Sequence, residues 1–136
     1  MLCIVICKVR EHLEERISKN LKDENNLVLG VINDEKIVGF LTAQRGVFRR
    51  IRHTAYIVIG IQKNYCNRKL GTKLFQMLDD WALQNKIVRL ELTVVCENKG
   101  AIRLYEKSGF SIEGTKKKTM YVDGKYVDEY MMSKIF

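Results

Sequence analysis

The residues from Ile57 to Leu83 constrain the fold more than any other stretch of the sequence. They open with an apolar, largely β-branched run over 57–61, which is typical of a buried strand. A polar, basic turn over 62–69 follows, and apolar residues then recur at helical spacing from Leu70 onwards. The stretch therefore predicts a strand, a basic turn and an amphipathic helix in succession.

The start of this predicted helix has the properties of an anion-binding site. The first N–H groups of a helix have no intrahelical partner, and the helix dipole places partial positive charge beside them. Arg68, Lys69 and Lys73 would add full charges, and Gly71 would let a group approach the backbone closely. The alternative is an ordinary strand–helix unit whose first helical turn is solvated.

Length and composition predict one globular domain over residues 1–136. The chain has 136 residues, of which 46% are hydrophobic and 29% charged, so it can bury a core without covalent staples. The apolar opening over 1–7 is too short to cross a bilayer, and we expect a cytoplasmic protein with no membrane partner. Four cysteines without a CxxC pair, and two histidines, predict neither a bound metal nor a disulfide framework.

The formal net charge of +8 favours an anionic partner. Nucleic acid, a phosphorylated cofactor and an acidic surface all have that property, so the charge does not choose among them. Basic residues cluster locally over 45–52 and 116–118. A solvated basic surface is the alternative to a dedicated nucleic-acid groove.

Periodicity and turn residues predict the remaining elements. Asp34-Glu35 and Asp123-Gly124 are expected to form hairpin turns, and Gly109 is expected to end a helix. The order predicts an α+β fold: antiparallel N-terminal strands, a central parallel βαβ crossover, and a C-terminal hairpin, all in one mixed sheet flanked by helices. Strands are expected over 2–7, 27–33, 36–44, 53–61, 87–95, 110–122 and 126–135, and helices over 8–26, from Leu70 to the break at Asn85-Lys86, and over 97–108.

The carboxyl ends of the two parallel strands are the expected ligand site. Strands of a parallel pair can diverge at these ends and leave a crevice, which is where α/β sheets commonly bind ligands.

Several segments, taken together, carry a family resemblance. They are the run from Ile61 to Leu74, the sequence Asn98-x-x-Ala101-Ile102-x-Leu104-Tyr105-x-x-x-Gly109-Phe110, the pair Glu113-Gly114, and Asp123-Gly124-x-Tyr126-x-Asp128. In this order and spacing they resemble the GNAT superfamily of N-acetyltransferases, and within it the bacterial branch with the NxxAIxLYxxxGF segment. The resemblance covers residues 27–136 and implies a GNAT-like acyl-CoA-binding domain with an abbreviated N-terminal part.

The resemblance implies acetyl-CoA as the cosubstrate and indicates which residues would hold it. The end of the strand at Ile61, Gln62 and Lys63 would pair with the pantetheine arm, and Asn98 would hydrogen-bond that arm. The sequence departs from the family motif Q/R-x-x-G-x-G/A because Cys66 and Lys69 replace its first residue and first glycine. The pyrophosphate would be held by Asn67, Arg68, Lys69, Leu70, Gly71, Thr72 and Lys73.

Tyr105 is the catalytic residue that the resemblance implies. It would lie near the cofactor sulfur and act as general acid, because a phenol with a pKa of about 10 stays protonated at neutral pH. The alternatives are a core aromatic for Tyr105 and a helix N-cap for Asn98. No general base is assigned; the candidates are Glu91, Glu113, Asp128, and His53 through a water chain.

The leading hypothesis is an N-acetyltransferase that moves an acetyl group from acetyl-CoA to a primary amine by direct attack. The first alternative is a GNAT-fold CoA-binding protein with weakened chemistry, suggested by Cys66 and Lys69. A nucleic-acid-binding module ranks last, because Phe48 is the one aromatic residue among its arginines, and nucleic acid is not an expected partner. A homodimer is left open. The arginines of that third hypothesis are Arg45, Arg49, Arg50 and Arg52.

Overall fold

The computed structural model describes residues 3–6, 25–66 and 69–136. Within them the chain forms a seven-stranded mixed sheet, in the order β1-β2-β3-β4-β5-β7-β6, and two α-helices. The predicted α+β class is confirmed. The helical segment expected over 8–26 lies outside the described residues except at 25 and 26, which form a turn and a bend before β2. The strands are β1 (Cys3–Ile6), β2 (Leu27–Asn33), β3 (Lys36–Arg45), β4 (Thr54–Ile61), β5 (Arg89–Val95), β6 (Ser111–Val122) and β7 (Lys125–Ile135), and the helices are α1 (Leu70–Gln84) and α2 (Lys99–Lys107).

The N-terminal half of the sheet is antiparallel from β1 to β4. Asp34 and Glu35 form the tight turn between β2 and β3, with φ of 49° and 64°. Two consecutive residues in the left-handed region match the right-handed twist of the flanking strands, which explains the hairpin predicted at this dipeptide.

The centre of the sheet contains the predicted parallel crossover. β4 leads through α1 into β5, and the two strands pair in parallel from Thr54–Arg89 to Tyr56–Glu91. Helix α1 covers one face of the sheet because its apolar stripe is buried, with Leu74, Leu78 and Ala82 fully inaccessible. The crossover thus fixes the start of α1 at the carboxyl end of β4.

The C-terminal hairpin adds β7 next to β5 and leaves β6 at the edge. Asp123 and Gly124 form its turn with φ of 50° and 79°, as the dipeptide predicts. The pairing of β6 with β7 shifts register between Lys116 and Met120. At this bulge Lys118 has φ of 53°, and its N–H donates to the Asp128 Oδ1 at 2.8 Å.

Most predicted boundaries differ from the observed ones by one or two residues, for local reasons. Helix α2 begins at Lys99 because Asn98 caps it, and it ends where Gly109 adopts φ of 100°. Among the described residues, no helix is long and apolar enough to cross a membrane.

Candidate active site

A crevice opens between β4 and β5 because their pairing stops well before either strand ends. The last paired residues are Tyr56 and Glu91, whereas β4 continues to Ile61 and β5 to Val95. Beyond that point β5 pairs with β7 on its other side. The structure therefore contains the crevice that the sequence predicts at the carboxyl ends of the parallel pair.

The register of β4 directs unpaired backbone groups into this crevice. Gly46 N donates to Thr54 O at 3.0 Å and Gln62 N donates to Val38 O at 2.8 Å, so the even-numbered residues of β4 hydrogen-bond to β3. The odd-numbered residues Ile59 and Ile61 therefore point their N–H and C=O groups towards the crevice. An extended chain lying there could add as a strand.

The predicted cofactor-binding residues that come after β4 in the sequence differ in the groups that they leave available to a ligand. The side-chain amide of Gln62 reaches the Ile37 carbonyl at 3.5 Å, and its N–H is bonded to β3, so the structure ties Gln62 to β3. Lys63 is exposed in a short 3₁₀ turn over Lys63–Tyr65. Asn67 and Arg68 lie outside the described residues.

The turn before α1 keeps the backbone of a glycine although it carries Lys69. Lys69 is the N-cap of α1 with φ of 58° and ψ of 18°, the left-handed region that favours glycine. No side chain of the described residues caps this end, and the first turn has no acidic residue. The N–H groups of the first turn therefore face outwards beside the exposed Lys69, Thr72 and Lys73.

Gly71 allows close packing of the two helices. A Cβ at this position would lie 2.6 Å from the Leu104 Cδ2, so the group that approaches the Gly71 backbone is a side chain of α2. Gly71 is buried, unlike its neighbours Thr72 and Lys73. This contact holds α2, with its site residues, against the first turn of α1.

Asn98 is the N-cap of α2, the alternative considered from the sequence. Its Oδ1 accepts a hydrogen bond from Ala101 N at 3.2 Å, and its N–H donates to the Val95 carbonyl at 2.9 Å. The side chain is exposed, and no hydrogen bond of its amide NH₂ is found in the described part of the chain. The cap directs that donor outwards at the end of β5.

Tyr105 lies in the core between the helices, with 8% of its surface exposed. Its ring packs edge-on against Phe75 at 5.7 Å and lies 6.3 Å from the ring of Phe110. Burial raises the pKa of its hydroxyl above the ordinary value, so the phenol is protonated at neutral pH. No hydrogen bond to this hydroxyl is found within residues 25–66 and 69–136.

The three candidate carboxylates are engaged in other contacts. Arg89 pairs with Glu91 at 3.0 Å and with Glu113 at 2.6 Å, at the end of β5 remote from the crevice. Hydrogen bonds from Arg89 and Ser133 lower the pKa of Glu113. Asp128 lies nearer the crevice, but hydrogen bonding by the Lys118 N–H lowers its pKa and so weakens it as a base.

His53 lies at the amino end of β4. Its carbonyl accepts hydrogen bonds from Val88 N at 2.8 Å and Arg89 N at 3.1 Å, before the parallel pairing begins. The whole of β4, about 25 Å at the rise of a strand, separates it from the turn before α1. A water chain from His53 would have to cover most of that distance.

One contact beside the crevice was not anticipated from the sequence. The Tyr56 hydroxyl and Thr93 Oγ1 lie 3.0 Å apart, which links β4 to β5 where they begin to diverge. Both residues point to the face of the sheet opposite α1, because their neighbours in each strand are buried under that helix. The alternation of apolar and polar residues along a strand predicts which side chains face α1, but it does not predict which residues of β4 and β5 lie opposite each other.

Comparisons with known proteins identify the family to which this chain belongs. The family model "Acetyltransferase (GNAT) family" matches residues 6–110. The L-amino acid N-acetyltransferase AaaT of Escherichia coli is 37% identical over 106 residues, which is 75% of this chain and 64% of that protein. The chain therefore spans just under two thirds of the length of this curated relative.

Solved structures show the same fold. An acetyltransferase of the GNAT family from Streptococcus pneumoniae superposes with a TM-score of 0.82 at 34% identity, over 91% of this chain and 74% of that one. The Salmonella typhimurium protein yncA, determined with acetyl-CoA as its cofactor, gives 0.80 at 17% identity over 96% and 78% of the two chains, which shows the fold alone. On the family match and these relatives, the chain belongs to the GNAT acetyltransferase family.

Proposed function

We propose that this protein transfers an acetyl group from acetyl-CoA to a primary amine by direct attack. The observation that carries the proposal is the crevice between β4 and β5, which has unpaired backbone groups along one side and the uncapped start of α1 at its end. Membership of the GNAT family and the acetyl-CoA complex of the fold relative support the choice of cosubstrate.

The residues of this chain would hold the cosubstrate in two ways. The N–H and C=O groups of Ile59 and Ile61 would pair with the amides of the pantetheine arm. The first-turn amides of α1 would bind the diphosphate, with Lys69 and Lys73 adding positive charge. The left-handed backbone of Lys69 is the one that glycine would adopt, which supports a role for these amides despite the side chain at this position.

Tyr105 would supply the proton for the leaving thiolate. Its raised pKa keeps it in the acid form at neutral pH, and donation of its proton to the departing thiolate gives the CoA thiol and a tyrosinate. The tyrosinate, which is the stronger base, would then be reprotonated by the proton that the acetylated nitrogen loses. The contact between Leu104 and Gly71, with the Phe75–Tyr105 ring contact, positions α2 for this role.

The α-amine of an L-amino acid is the acceptor that we propose to test first. The support is the 37% identity to a protein named for this substrate class. The Tyr56–Thr93 pair would form part of the floor beneath the acceptor, on the sheet face opposite α1.

Thermal shift measurements test cosubstrate binding. Acetyl-CoA and CoA should raise the melting temperature, whereas pantetheine, which lacks the diphosphate, should raise it much less at equal concentration. If neither acetyl-CoA nor CoA shifts melting at about 1 mM, the crevice is not an acyl-CoA site and the proposal is wrong.

Thiol release with a panel of L-amino acids and polyamines tests the chemistry. Tyr105→Phe should lower kcat by about 10²-fold while leaving the thermal shift by CoA unchanged. Tyr126→Phe, an exposed tyrosine of the C-terminal hairpin, is the matched control and should retain activity. Binding of CoA without thiol release in any mixture would favour the alternative of a CoA-binding protein.

A further inference from the structure

The connection from β3 to β4 exposes apolar and basic side chains together. We call residues 45–52 the arginine loop; it contains Arg45, Arg49, Arg50 and Arg52. Between its arginines, Val47 and Phe48 are 69% and 75% exposed, and Ile51 is 43% exposed. Exposing three large apolar side chains in eight residues is unfavourable unless another surface covers them.

Contacts within the arginine loop hold its backbone in a compact turn. Gly46 packs against Ile51 so closely that a Cβ would overlap the Ile51 carbonyl. The Thr54 hydroxyl donates to that same carbonyl at 2.7 Å, and the Arg45 Nε donates to the Arg52 carbonyl at 2.6 Å. A preorganised loop loses little entropy when it binds, which is the property of a recognition element.

The charges of the loop are not neutralised within the described part of the chain. No ion pair there involves its four arginines, and the sequence has no Asp or Glu between Glu35 and Asp79. A cavity of about 290 Å³ adjoins the loop, lined by Arg45, Arg52, Asn25, Gly46 and Val47. Two of the five lining residues are arginines, the side chains best suited to bind a carboxylate that enters the cavity.

The same end of the sheet carries further exposed apolar residues. Val88 N bonds to the His53 carbonyl, and Phe136 N bonds to the Val88 carbonyl at 2.9 Å, so these chain segments are adjacent. Val88, Ile135 and Phe136 are exposed. The arginine loop and this exposed apolar surface therefore lie at the same end of the sheet.

We propose that the arginine loop and this surface bind an acidic segment of another protein that also carries apolar side chains. Arginine and aromatic residues around an apolar centre are the composition of protein interfaces. A second copy of the chain does not fit, because its net charge of +8 opposes self-association through a basic surface. The length of β4, about 25 Å, separates the loop from the turn before α1 at the far end of the crevice, so the inference does not depend on the proposed function.

Nucleic acid and membrane are the other anionic partners, and the surface fits them less well. Aliphatic residues such as Ile51 and Val88 make no favourable contact with a phosphate backbone, which is read by charge and by stacking. A planar lipid surface cannot fill the cavity between Arg45 and Arg52, whereas a carboxylate side chain can.

A labelled 12-residue peptide of Glu-Glu-Leu repeats tests the proposal by fluorescence anisotropy. The full chain should bind it at low salt, more weakly at high salt, and should not bind the version with Gln in place of Glu. Arg49→Glu with Arg50→Glu should weaken binding about tenfold or more, and Phe48→Ser about fivefold. The variants should keep the wild-type thermal shift with CoA, since the turn before α1 lies at the other end of β4.

Lys36→Glu with Lys116→Glu is the matched control, because it makes the same change in net charge at exposed sites of other elements. It should leave peptide binding within about twofold. Equal weakening in both double variants would show attraction by net charge alone and overturn the proposal. So would the absence of peptide binding at about 1 mM, or tighter binding of single-stranded RNA or of phosphatidylglycerol vesicles.

Discussion

At Lys69 the sequence departs from the family motif, which has a glycine there, but the backbone keeps the conformation that a glycine would adopt. Lys69 adopts φ of 58°, as a glycine would, although for a residue with a Cβ this region costs about 1 kcal/mol. The side chain stays exposed, so it adds charge to the turn without filling the crevice. The chain thus combines a cationic side chain with a strained backbone at the first turn of α1.

Lys69→Gly should therefore raise stability and lower CoA affinity together. Removing the Cβ relieves the left-handed strain, and we expect the free energy of unfolding to rise by about 0.5–1 kcal/mol in urea titrations. Losing the ammonium should weaken CoA binding severalfold in a calorimetric titration. Lys69→Ala is the matched control, which should weaken CoA binding to a similar extent without raising stability. An Ala variant that is more stable than the wild type would show that the left-handed backbone is not the source of the strain.

Gly71 and Leu104 make the contact between elements on which the site depends. Gly71→Ala should destabilise the fold by about 1 kcal/mol, because the new Cβ would lie 2.6 Å from the Leu104 Cδ2. In a Leu104→Ala background the same substitution should become stabilising, since alanine is favoured over glycine in a helix by about 1 kcal/mol. Urea unfolding of the four variants measures this coupling, and additive effects would show that the two helices do not press together here.

The ion pair between α1 and β7 is a second contact between elements. Lys134 Nζ lies 2.7 Å from Asp79 Oδ2, with side-chain exposures of 18% and 30%, and Asp79 Oδ1 is buried without a partner among the described residues. Lys134→Met should cost about 2 kcal/mol in urea unfolding, because it leaves a carboxylate poorly solvated and unpaired. Asp79→Leu with Lys134→Met should recover most of this loss; if it does not, the Lys134 effect comes from packing instead.

The elements were predictable where a short-range pattern decides them, and contacts between elements were not. The leucine spacing of α1 and the dipeptide Asp123-Gly124 act within a few residues, so the sequence alone predicts them. The Asp79–Lys134 pair joins residues 55 apart in the chain, and the Gly71–Leu104 contact depends on how two helices cross. The sequence predicted a crevice at the end of β4, but only the register shows which backbone groups face it.

For the molecule as a whole, the two proposed sites lie towards opposite ends of β4. The carboxyl end of the strand borders the crevice, and its amino end follows the arginine loop. A partner bound at the loop would leave the crevice open to the cosubstrate. The tests of the two proposals can therefore succeed or fail independently.

The stability of the whole molecule in acid should depend on the carboxylates that hold the C-terminal strands. Hydrogen bonds from Arg89 and Ser133 lower the pKa of Glu113, so its contribution to stability is present above the ordinary carboxyl range and is lost as the pH falls below that range and through the lowered native pKa. Glu113 links β6 to Arg89 at the start of β5, across the intervening β7. Protonation should thus loosen the edge of the sheet.

Glu113→Gln should therefore unfold at a lower urea concentration than the wild type at pH 7, and the difference should shrink as the pH falls below the ordinary carboxyl range and the native carboxylate becomes protonated. Glu106→Gln is the control, because this exposed side chain of α2 forms no ion pair in the described part of the chain. Its urea midpoint should follow the wild type at every pH. A Glu113→Gln difference that stays unchanged throughout the acid range would mean that the side chain acts through packing, and that its charge does not hold β6 to β5.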